Sequence, residues 1–149
     1  MADARRAGTV SRVTRDPFAI ARKSMAAFSR NDLDAAIERF HPDVVWEVEA
    51  EMSPEAGTYR GRDGVREFWQ TWHDHFARFE LVVEDETELD DGRLLIGVHA
   101  EGTGMGSGAP VASGTFSQLF EVRDGLVVRV GLYASRSSAL RAAGQAPPA

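Results

Sequence analysis

The stretch RDGVREFWQTWHDHFARF, residues 62–79, decides the fold class, because the hydrophobic period of the chain changes where this stretch ends. Its apolar residues recur at steps of three and four, which is typical of one buried face of an α-helix. They are Val65, Phe68, Trp69, Trp72, Phe76 and Phe79. Such an aromatic stripe packs into a core far more often than it lines a ligand site, so we expect at most one tryptophan edge to face a cavity.

Four segments with a period of two follow this helix and predict β-strands. They are FELVVEDETEL (79–89), RLLIGVHAEGTG (93–104), VASGTFSQLFEV (111–122) and LVVRVGLY (126–133). A long helix followed by such a meander predicts an α+β fold, in which a curved, mostly antiparallel sheet wraps around the helix. The curvature leaves a cavity between the sheet and the helices.

Three shorter helices are predicted around these elements. They are DPFAIARKSMAAFSR (16–30) and NDLDAAIERF (31–40) before the long helix, and SRSSALRAAG (135–144) after the last strand. Each begins with a residue that can cap it: Asp16, then Asn31 or Asp32, then Ser135. The segment HPDVVWEV (41–48) alternates as a strand should, and the irregular residues 49–61 predict a loop over the sheet.

The composition limits the class of protein. The 149 residues have a formal net charge of −6, and 43% of them are hydrophobic, which predicts one globular domain over residues 16–144 with a flexible lead at 1–15 and a flexible tail at 145–149. An acidic chain lacks the clustered Lys and Arg that bind phosphate, so we expect no nucleic-acid partner. No stretch is apolar enough for a membrane span or a secretory signal, so we expect no membrane partner. Since there is no cysteine, nothing indicates an oxidising compartment, and we expect a cytoplasmic protein.

Three segments resemble the SnoaL-like branch of the nuclear transport factor 2-like, or ketosteroid isomerase-like, superfamily. They are FSRNDLDAAIERFHPDVVWEV, YRGRDGVREFWQTW and FEVRDGLVVRVGLYASRSSALRAAG. The resemblance implies a cone-shaped fold, an apolar small-molecule ligand, and a homodimer formed through the open face of the sheet. It does not choose an activity, because the superfamily holds isomerases, cyclases, epoxide hydrolases, dehydratases, binding subunits and transport factors.

The catalytic carboxylates of these relatives are not matched here. Counted along the resemblance, the three catalytic positions of ketosteroid isomerases fall on Ser24, Val48 and Gln118, and the aspartate position of SnoaL-type cyclases also falls on Gln118. A valine cannot move a proton, and a glutamine offers hydrogen bonds but no base. Epoxide-hydrolase-like sites place an arginine and an aspartate where His99 and Glu101 stand here, but the carboxylate of the last strand is replaced by Leu132.

His99 and Glu101, in the strand segment VHAEG, stand two residues apart and therefore on one face of the sheet. If the odd-numbered residues face the cavity, the pair lies on the pocket wall with Gln118 across the sheet. If the even-numbered residues face it, the pair is exposed to solvent. The apolar alternation is cleaner for the even set, whereas the family register favours the odd set, and a shift of one residue reverses the choice.

Two classes of function remain. One is an enzyme that works without a cofactor, a cyclase, isomerase or hydrolase, with His99, Glu101 and Gln118 as candidate catalytic residues. The other is a non-catalytic binding module that uses the same cavity. The candidate ligand-binding residues for both are Trp46, Tyr59, Trp69, Trp72 and Phe116. We expect no metal, because His73 and His75 point about 200° apart around a helix.

Overall fold

The computed structural model describes residues 16–49, 56–104 and 110–144. Four helices and six strands lie within these ranges. They are α1 (Ala19–Ser29), α2 (Leu33–Ala36), β1 (Phe40–Val48), β2 (Gly57–Arg60), α3 (Gly61–His75), β3 (Phe76–Glu88), β4 (Leu94–Gly104), β5 (Pro110–Arg123), β6 (Leu126–Tyr133) and α4 (Arg136–Ala142). The predicted lead and tail lie outside the described residues, as do residues 50–55 of the predicted loop and residues 105–109.

The strands form one curved sheet in the order β2-β1-β6-β5-β4-β3. All neighbouring strands are antiparallel except β1 and β6, which are parallel. The first three helices pack on one face of the sheet, the inner face, and α4 packs on the opposite, outer face. The predicted α+β fold with a mostly antiparallel sheet is therefore confirmed.

The core on the inner face is organised around Trp46, which is fully buried on β1. Its ring centroid lies 5.9 Å from that of Phe28 on α1 and 6.2 Å from that of Phe40. Phe68 and Trp69 on α3 lie 5.7 and 5.8 Å away. These stacked, tilted and edge-on contacts are favourable for aromatic rings. The cluster joins α1, α3 and the sheet into one body.

A salt bridge fixes the start of α1 to the sheet. Arg22 donates a hydrogen bond of 2.6 Å to Asp16 and another of 2.6 Å to Glu86 on β3. Asp16, the predicted cap, does not cap α1, whose N-cap residue is Phe18; it accepts the N–H of Phe18 at 3.0 Å in the turn before the helix. The Arg22 guanidinium and this N–H hold the pKa of the Asp16 carboxyl below its usual range. The N-terminal turn of α1 is thereby tied to the edge strand.

The side chains of Asp32 and Ser135 cap α2 and α4, as predicted. Asp32 accepts the N–H of Ala35 at 3.2 Å, and Ser135 accepts the N–H of Ser138 at 3.1 Å. Asn31, the alternative cap for α2, instead takes a positive φ of 59° in the turn before it. Asn tolerates this left-handed conformation better than most residues.

Two helices end earlier than the apolar period predicts. Phe40 was expected on α2, but α2 ends at Ala36 and Phe40 begins β1 by pairing with β6. The long helix α3 ends at His75, so Phe76 and Phe79 belong to β3. A step of three or four residues fits a helix face but does not show where a strand takes over, and the backbone hydrogen bonds of the sheet decide both boundaries.

The predicted loop at residues 49–61 contains a short strand. Its residues Gly57–Arg60 pair antiparallel with residues 45–48 of β1 and form an edge of the sheet. Three of these four residues are exposed. The apolar alternation that predicts a strand is therefore missing, which explains why the sequence indicates a loop.

Candidate functional site

The inner face of the sheet opens at one end, along β5. Residues two apart on a strand share a face, so Phe120, Gln118, Phe116 and Gly114 all lie on the inner face. The first two are fully buried, Phe116 is half-buried, and Gly114 is exposed. A Cβ atom at Gly114 would meet no described atom within 4 Å. Burial on this face therefore increases step by step from Gly114 to Gln118.

The neighbouring elements show the same opening. On β4, Val98 is fully buried, whereas Ala100, which pairs with Gly114, is half-buried. Trp72 lies near the end of α3, is half-buried, and packs against the inner core. Since α3 passes directly into β3, its last turn lies at this end of the sheet. We call the part of the inner face that carries Gly114, Phe116, Gln118, Ala100 and Trp72 the β5 cleft.

Gln118 is the buried polar group at the inner end of the β5 cleft. Its side chain is 1% exposed, and its neighbours in the sheet are Ile96 on β4 and Leu132 on β6. Val48 lies beyond Leu132 and is also buried. The side-chain oxygen Oε1 of Gln118 is buried and accepts no hydrogen bond from the part of the chain that the structure describes. A buried carbonyl oxygen without a donor is unfavourable, so a bound group that donates to it is stabilised.

The five candidate aromatic residues divide into two sets. Trp46 and Trp69 are fully buried in the core on the inner face, which agrees with the expectation that most of the stripe is core. Trp72, Tyr59 and Phe116 are half-buried at its margin. Tyr59 and Trp72 both contact Phe68, with ring centroids 5.2 and 6.2 Å away. Of the two sets, only the second has side-chain surface that a ligand can reach.

The structure does not bring His99 and Glu101 together with Gln118. The even-numbered residues of β4 form the inner core, so His99 and Glu101 lie on the outer face. Their side chains are 29% and 64% exposed, and Nε2 of His99 lies 3.1 Å from Oε2 of Glu101. The apolar residues of β4 set this register, because burying Ile96 and Val98 outweighs any gain from burying the polar pair.

Two other histidines, His73 and His41, make structural contacts. Nε2 of His73 lies 2.7 Å from the carbonyl oxygen of Phe28, so the ring links α3 to α1 as an N–H donor. Nδ1 of His41 accepts the N–H of Asp43 at 2.9 Å near the start of β1. The described residues contain no group of three side chains that could hold a metal ion. None of the described helices is long and apolar enough to cross a membrane.

A second concavity, of about 350 Å³, lies on the outer face and was not predicted from the sequence. It is lined by Glu47, Arg93, Leu119, Glu121, Arg129, Gly131, Tyr133 and Ala142. The Tyr133 ring lies against the backbone of Gly131, where a Cβ would come within 2.6 Å of it. Burial, followed by the charge of Glu47, raises the pKa of the Tyr133 hydroxyl.

The charged groups of this outer concavity are largely paired with one another or with nearby residues. Arg129 makes a salt bridge of 2.8 Å to Glu47. Arg93 makes a salt bridge of 2.6 Å to Asp91 and donates to the carbonyl oxygen of Ala143 at 2.6 Å. Exposed pairs of this kind contribute little to stability and leave few donors for a ligand. The β5 cleft is therefore the stronger candidate for a functional site.

The chain belongs to the SnoaL-like domain family, whose model matches residues 21–130. Among solved structures, an NTF2-like protein of unknown function from Burkholderia pseudomallei is 25% identical, with a TM-score of 0.68 over 84% of this chain and 95% of that chain. TerC, co-crystallised with polyporic acid, is 23% identical, with a TM-score of 0.69 over 85% of this chain and 95% of that chain. A putative polyketide cyclase from Sinorhizobium meliloti is 25% identical, with a TM-score of 0.58 over 76% and 92%. No curated protein matches the chain significantly.

These likenesses confirm the predicted superfamily and its fold. They do not test the roles of individual residues. The predicted catalytic roles of His99, Glu101 and Gln118, the ligand contacts of the aromatic residues, and the homodimer stay predictions.

Proposed function

We propose that the protein binds an apolar, oxygenated small molecule in the β5 cleft. The observation that carries this proposal is the gradient of burial along one face of β5, from exposed Gly114 past half-buried Phe116 to buried Gln118. A concave, mainly apolar surface that ends in one polar group is the usual form of a small-molecule site. Phe116, Ala100 and Trp72 supply the apolar contacts, and Gln118 supplies the polar contact.

Two further observations support ligand binding as the primary function. The chain belongs to the SnoaL-like family, and TerC, which has the same fold, was co-crystallised with polyporic acid. The acid–base pair His99 and Glu101 lies on the opposite face of the sheet, where it cannot reach a molecule in the cleft. Binding therefore requires only residues that already line the cleft.

The second candidate function is a cofactor-independent cyclase, and the likeness to the putative polyketide cyclase favours it. In that case Gln118 orients the substrate by a hydrogen bond. The cleft holds the substrate in a bent conformation that favours ring closure. The two candidates differ in what leaves the cleft, because a binding module releases its ligand unchanged. Mass spectrometry of a candidate ligand before and after incubation separates them.

Ligand binding is tested with 2-naphthol, an apolar molecule that bears one hydroxyl, by isothermal titration calorimetry on the full chain. We expect saturable binding, and we expect Gly114→Trp to weaken it at least tenfold, because the indole fills the open end of the cleft. Gly114 is exposed and its φ is not positive, so the larger side chain fits without strain in the backbone.

The matched control is Thr115→Trp. Thr115 is the next residue along β5, is also exposed, and lies beside His99 on the outer face. At concentrations where the protein is monomeric, we expect this variant to bind 2-naphthol as the unaltered protein does. The proposal fails if the unaltered protein shows no saturable binding, or if the two tryptophan variants lose affinity equally.

We also propose the homodimer that the family resemblance implies, formed through the outer face. The side chain of Val82 is 47% exposed, more than that of any other large hydrophobic residue that the structure describes, and it pairs with His99 on the outer face. A single exposed apolar side chain is ordinary on a protein surface, so the proposal rests on the family resemblance, and Val82 is the position at which it is tested. Sedimentation equilibrium is expected to give twice the chain mass, and Val82→Glu is expected to shift it to the monomer. A monomeric unaltered protein would rule out the dimer.

A further inference from the structure

The outer concavity, of about 350 Å³, has an apolar floor on the sheet. Leu119 on β5 pairs with Gly131 on β6, and both face outwards. Because Gly131 has no side chain, the Tyr133 ring can lie along its backbone. Ala142 lines the concavity from α4. The ring of a small molecule can therefore lie on this floor beside another aromatic ring.

Positive and negative groups alternate along one side of the floor. Glu121 on β5 pairs with Arg129 on β6. On the other side of β5, Leu94 begins β4 and pairs with Phe120. Arg93, the residue before Leu94, therefore lies beside Glu121. The Glu121 carboxylate thus stands between two guanidinium groups, and all three line the concavity.

The ion pairs of the two arginines leave one nitrogen of each unused. Arg93 donates from Nε and Nη2 to Asp91, and from Nη2 to the carbonyl oxygen of Ala143. Arg129 donates from Nε to Glu47 and forms its salt bridge to Glu47 through Nη2. The Nη1 atoms of Arg93 and Arg129 make no hydrogen bond within the part of the chain that the structure describes. Both remain available as donors.

One further donor and one acceptor remain in the outer concavity. The Tyr133 hydroxyl makes no hydrogen bond to a described residue. Burial, and then the charge of Glu47, raises its pKa, so the hydroxyl stays protonated at neutral pH and can donate. Arg123 binds Oε2 of Glu121, which leaves Oε1 to accept. An incoming molecule thus meets two guanidinium nitrogens, one hydroxyl and one carboxylate oxygen.

We propose that the outer concavity binds an aromatic α-amino acid as its zwitterion. The carboxylate of the ligand accepts hydrogen bonds from Nη1 of Arg93, Nη1 of Arg129 and the Tyr133 hydroxyl. Its ammonium group donates to Oε1 of Glu121, and its ring lies on the apolar floor. A volume of about 350 Å³ is within the range of small-molecule sites. This site is separate from the β5 cleft and does not depend on the function proposed for it.

The balance of charge in the lining favours a ligand that carries both signs. The two arginines Arg93 and Arg129 are matched by the two glutamates Glu47 and Glu121, so the formal charges of the lining cancel. A ligand with only a carboxylate brings an unbalanced negative charge towards both glutamates. A ligand with only an ammonium group brings a positive charge towards both arginines. A zwitterion adds no net charge and finds a partner for each of its charged groups.

The outer concavity is separated from the position at which the homodimer is tested. It lies on β1, β6 and β5, whereas Val82 lies on β3 at the opposite edge of the sheet, beyond β4. A dimer contact centred on Val82 therefore leaves the concavity open.

The test compares L-phenylalanine with 3-phenylpropanoate, which lacks the ammonium group, and with 2-phenylethylamine, which lacks the carboxylate. All three carry the same ring. Isothermal titration calorimetry on the full chain at neutral pH is expected to show saturable binding of L-phenylalanine. Its affinity is expected to be about tenfold or more above that of either partial analogue, because each analogue loses one charge-assisted contact and leaves one like-charge repulsion.

Matched variants locate the binding. Ala142→Trp places an indole in the concavity and is expected to weaken L-phenylalanine binding at least tenfold. Ser137→Trp is the control, because Ser137 is exposed on the same helix and does not line the concavity. It is expected to bind L-phenylalanine as the unaltered protein does. Tyr133→Phe keeps the ring, removes the hydroxyl and is expected to weaken binding about threefold or more. Melting temperatures report whether each variant is folded.

The outcomes are distinct from those for the β5 cleft. Absence of saturable L-phenylalanine binding to the unaltered protein, including through a second copy that covers the concavity, would overturn the inference. Equal affinities for the three compounds would overturn the role of the charges. Full binding in folded Ala142→Trp, or an equal loss in both tryptophan variants, would place the ligand elsewhere and also overturn it. A failure of 2-naphthol to bind concerns the β5 cleft alone.

Discussion

Replacement of Trp46 by alanine is expected to lower the free energy of unfolding by about 3–5 kcal/mol. Trp46 is fully buried and contacts four aromatic rings, so its removal leaves a cavity that rigid neighbours cannot fill. Urea denaturation followed by circular dichroism measures the change. A loss below about 1 kcal/mol would show that the cluster is not packed as the structure has it.

Two controls make this result specific. Trp46→Phe keeps an aromatic ring at the centre of the cluster and is expected to cost clearly less than the alanine variant. Val82→Ala removes an exposed side chain on the outer face and is expected to change the free energy of unfolding by less than about 0.5 kcal/mol at concentrations where the protein is monomeric. The order of the three losses in free energy of unfolding tests the burial of Trp46, independently of their absolute values.

Gln118→Glu is expected to lower the free energy of unfolding by about 3–5 kcal/mol at neutral pH, because it buries a carboxylate without a partner. Gln118 is 1% exposed between Ile96 and Leu132, and this apolar setting disfavours the charged form. The pKa of the introduced carboxyl is therefore raised in the folded state above its value in the unfolded chain. The effect is the reverse of that for Asp16, whose pKa is lowered by Arg22.

The sign of the pH dependence follows from this direction. Below the ordinary pKa of a glutamate, about 4.3, the carboxyl is protonated in both states and the penalty is small. As the pH rises above this value, the unfolded chain ionises first, and the folded protein loses stability until the raised pKa is passed. Denaturation in urea at pH 4.5 and pH 8, with the unaltered protein as reference, measures the difference. Thr115→Glu, exposed on the same strand, is expected to show no such loss at concentrations where the protein is monomeric. An equal loss in both variants would contradict the burial of Gln118.

The sequence predicts the fold well where one period dominates over many residues. The apolar steps of three and four in α3 and the alternation in β4 and β6 each extend over several positions, and the predicted elements are present. The boundaries are less accurate because Phe76 and Phe79 continue the helical spacing by coincidence while the chain has already entered β3. β2 was missed because an exposed edge strand buries no face and so shows no alternation.

The candidate site was only partly predictable, because it depends on contacts between distant strands. The face on which His99 and Glu101 lie follows from the alternation of β4 alone, and the simple apolar pattern was the better guide. Gln118 was identified by its register in the family, but its unsatisfied oxygen depends on Ile96 and Leu132, which only the folded sheet places beside it. The outer concavity draws its lining from several separate elements and has no local signature.

The parallel pairing of β1 with β6 has a consequence for the order in which the chain can fold. Glu47 and Arg129, which form a salt bridge across these two strands, are 82 residues apart in the chain. The strands from β3 to β6, in contrast, pair with their immediate neighbours in sequence. Local pairings form faster than distant ones, so the meander can assemble first and then serve as a template for β1. On the ribosome, β1 cannot pair with β6 until β6 has emerged. Until then the apolar residues of β1, including Trp46, lack their partners in the sheet, and exposed apolar surface of this kind favours aggregation.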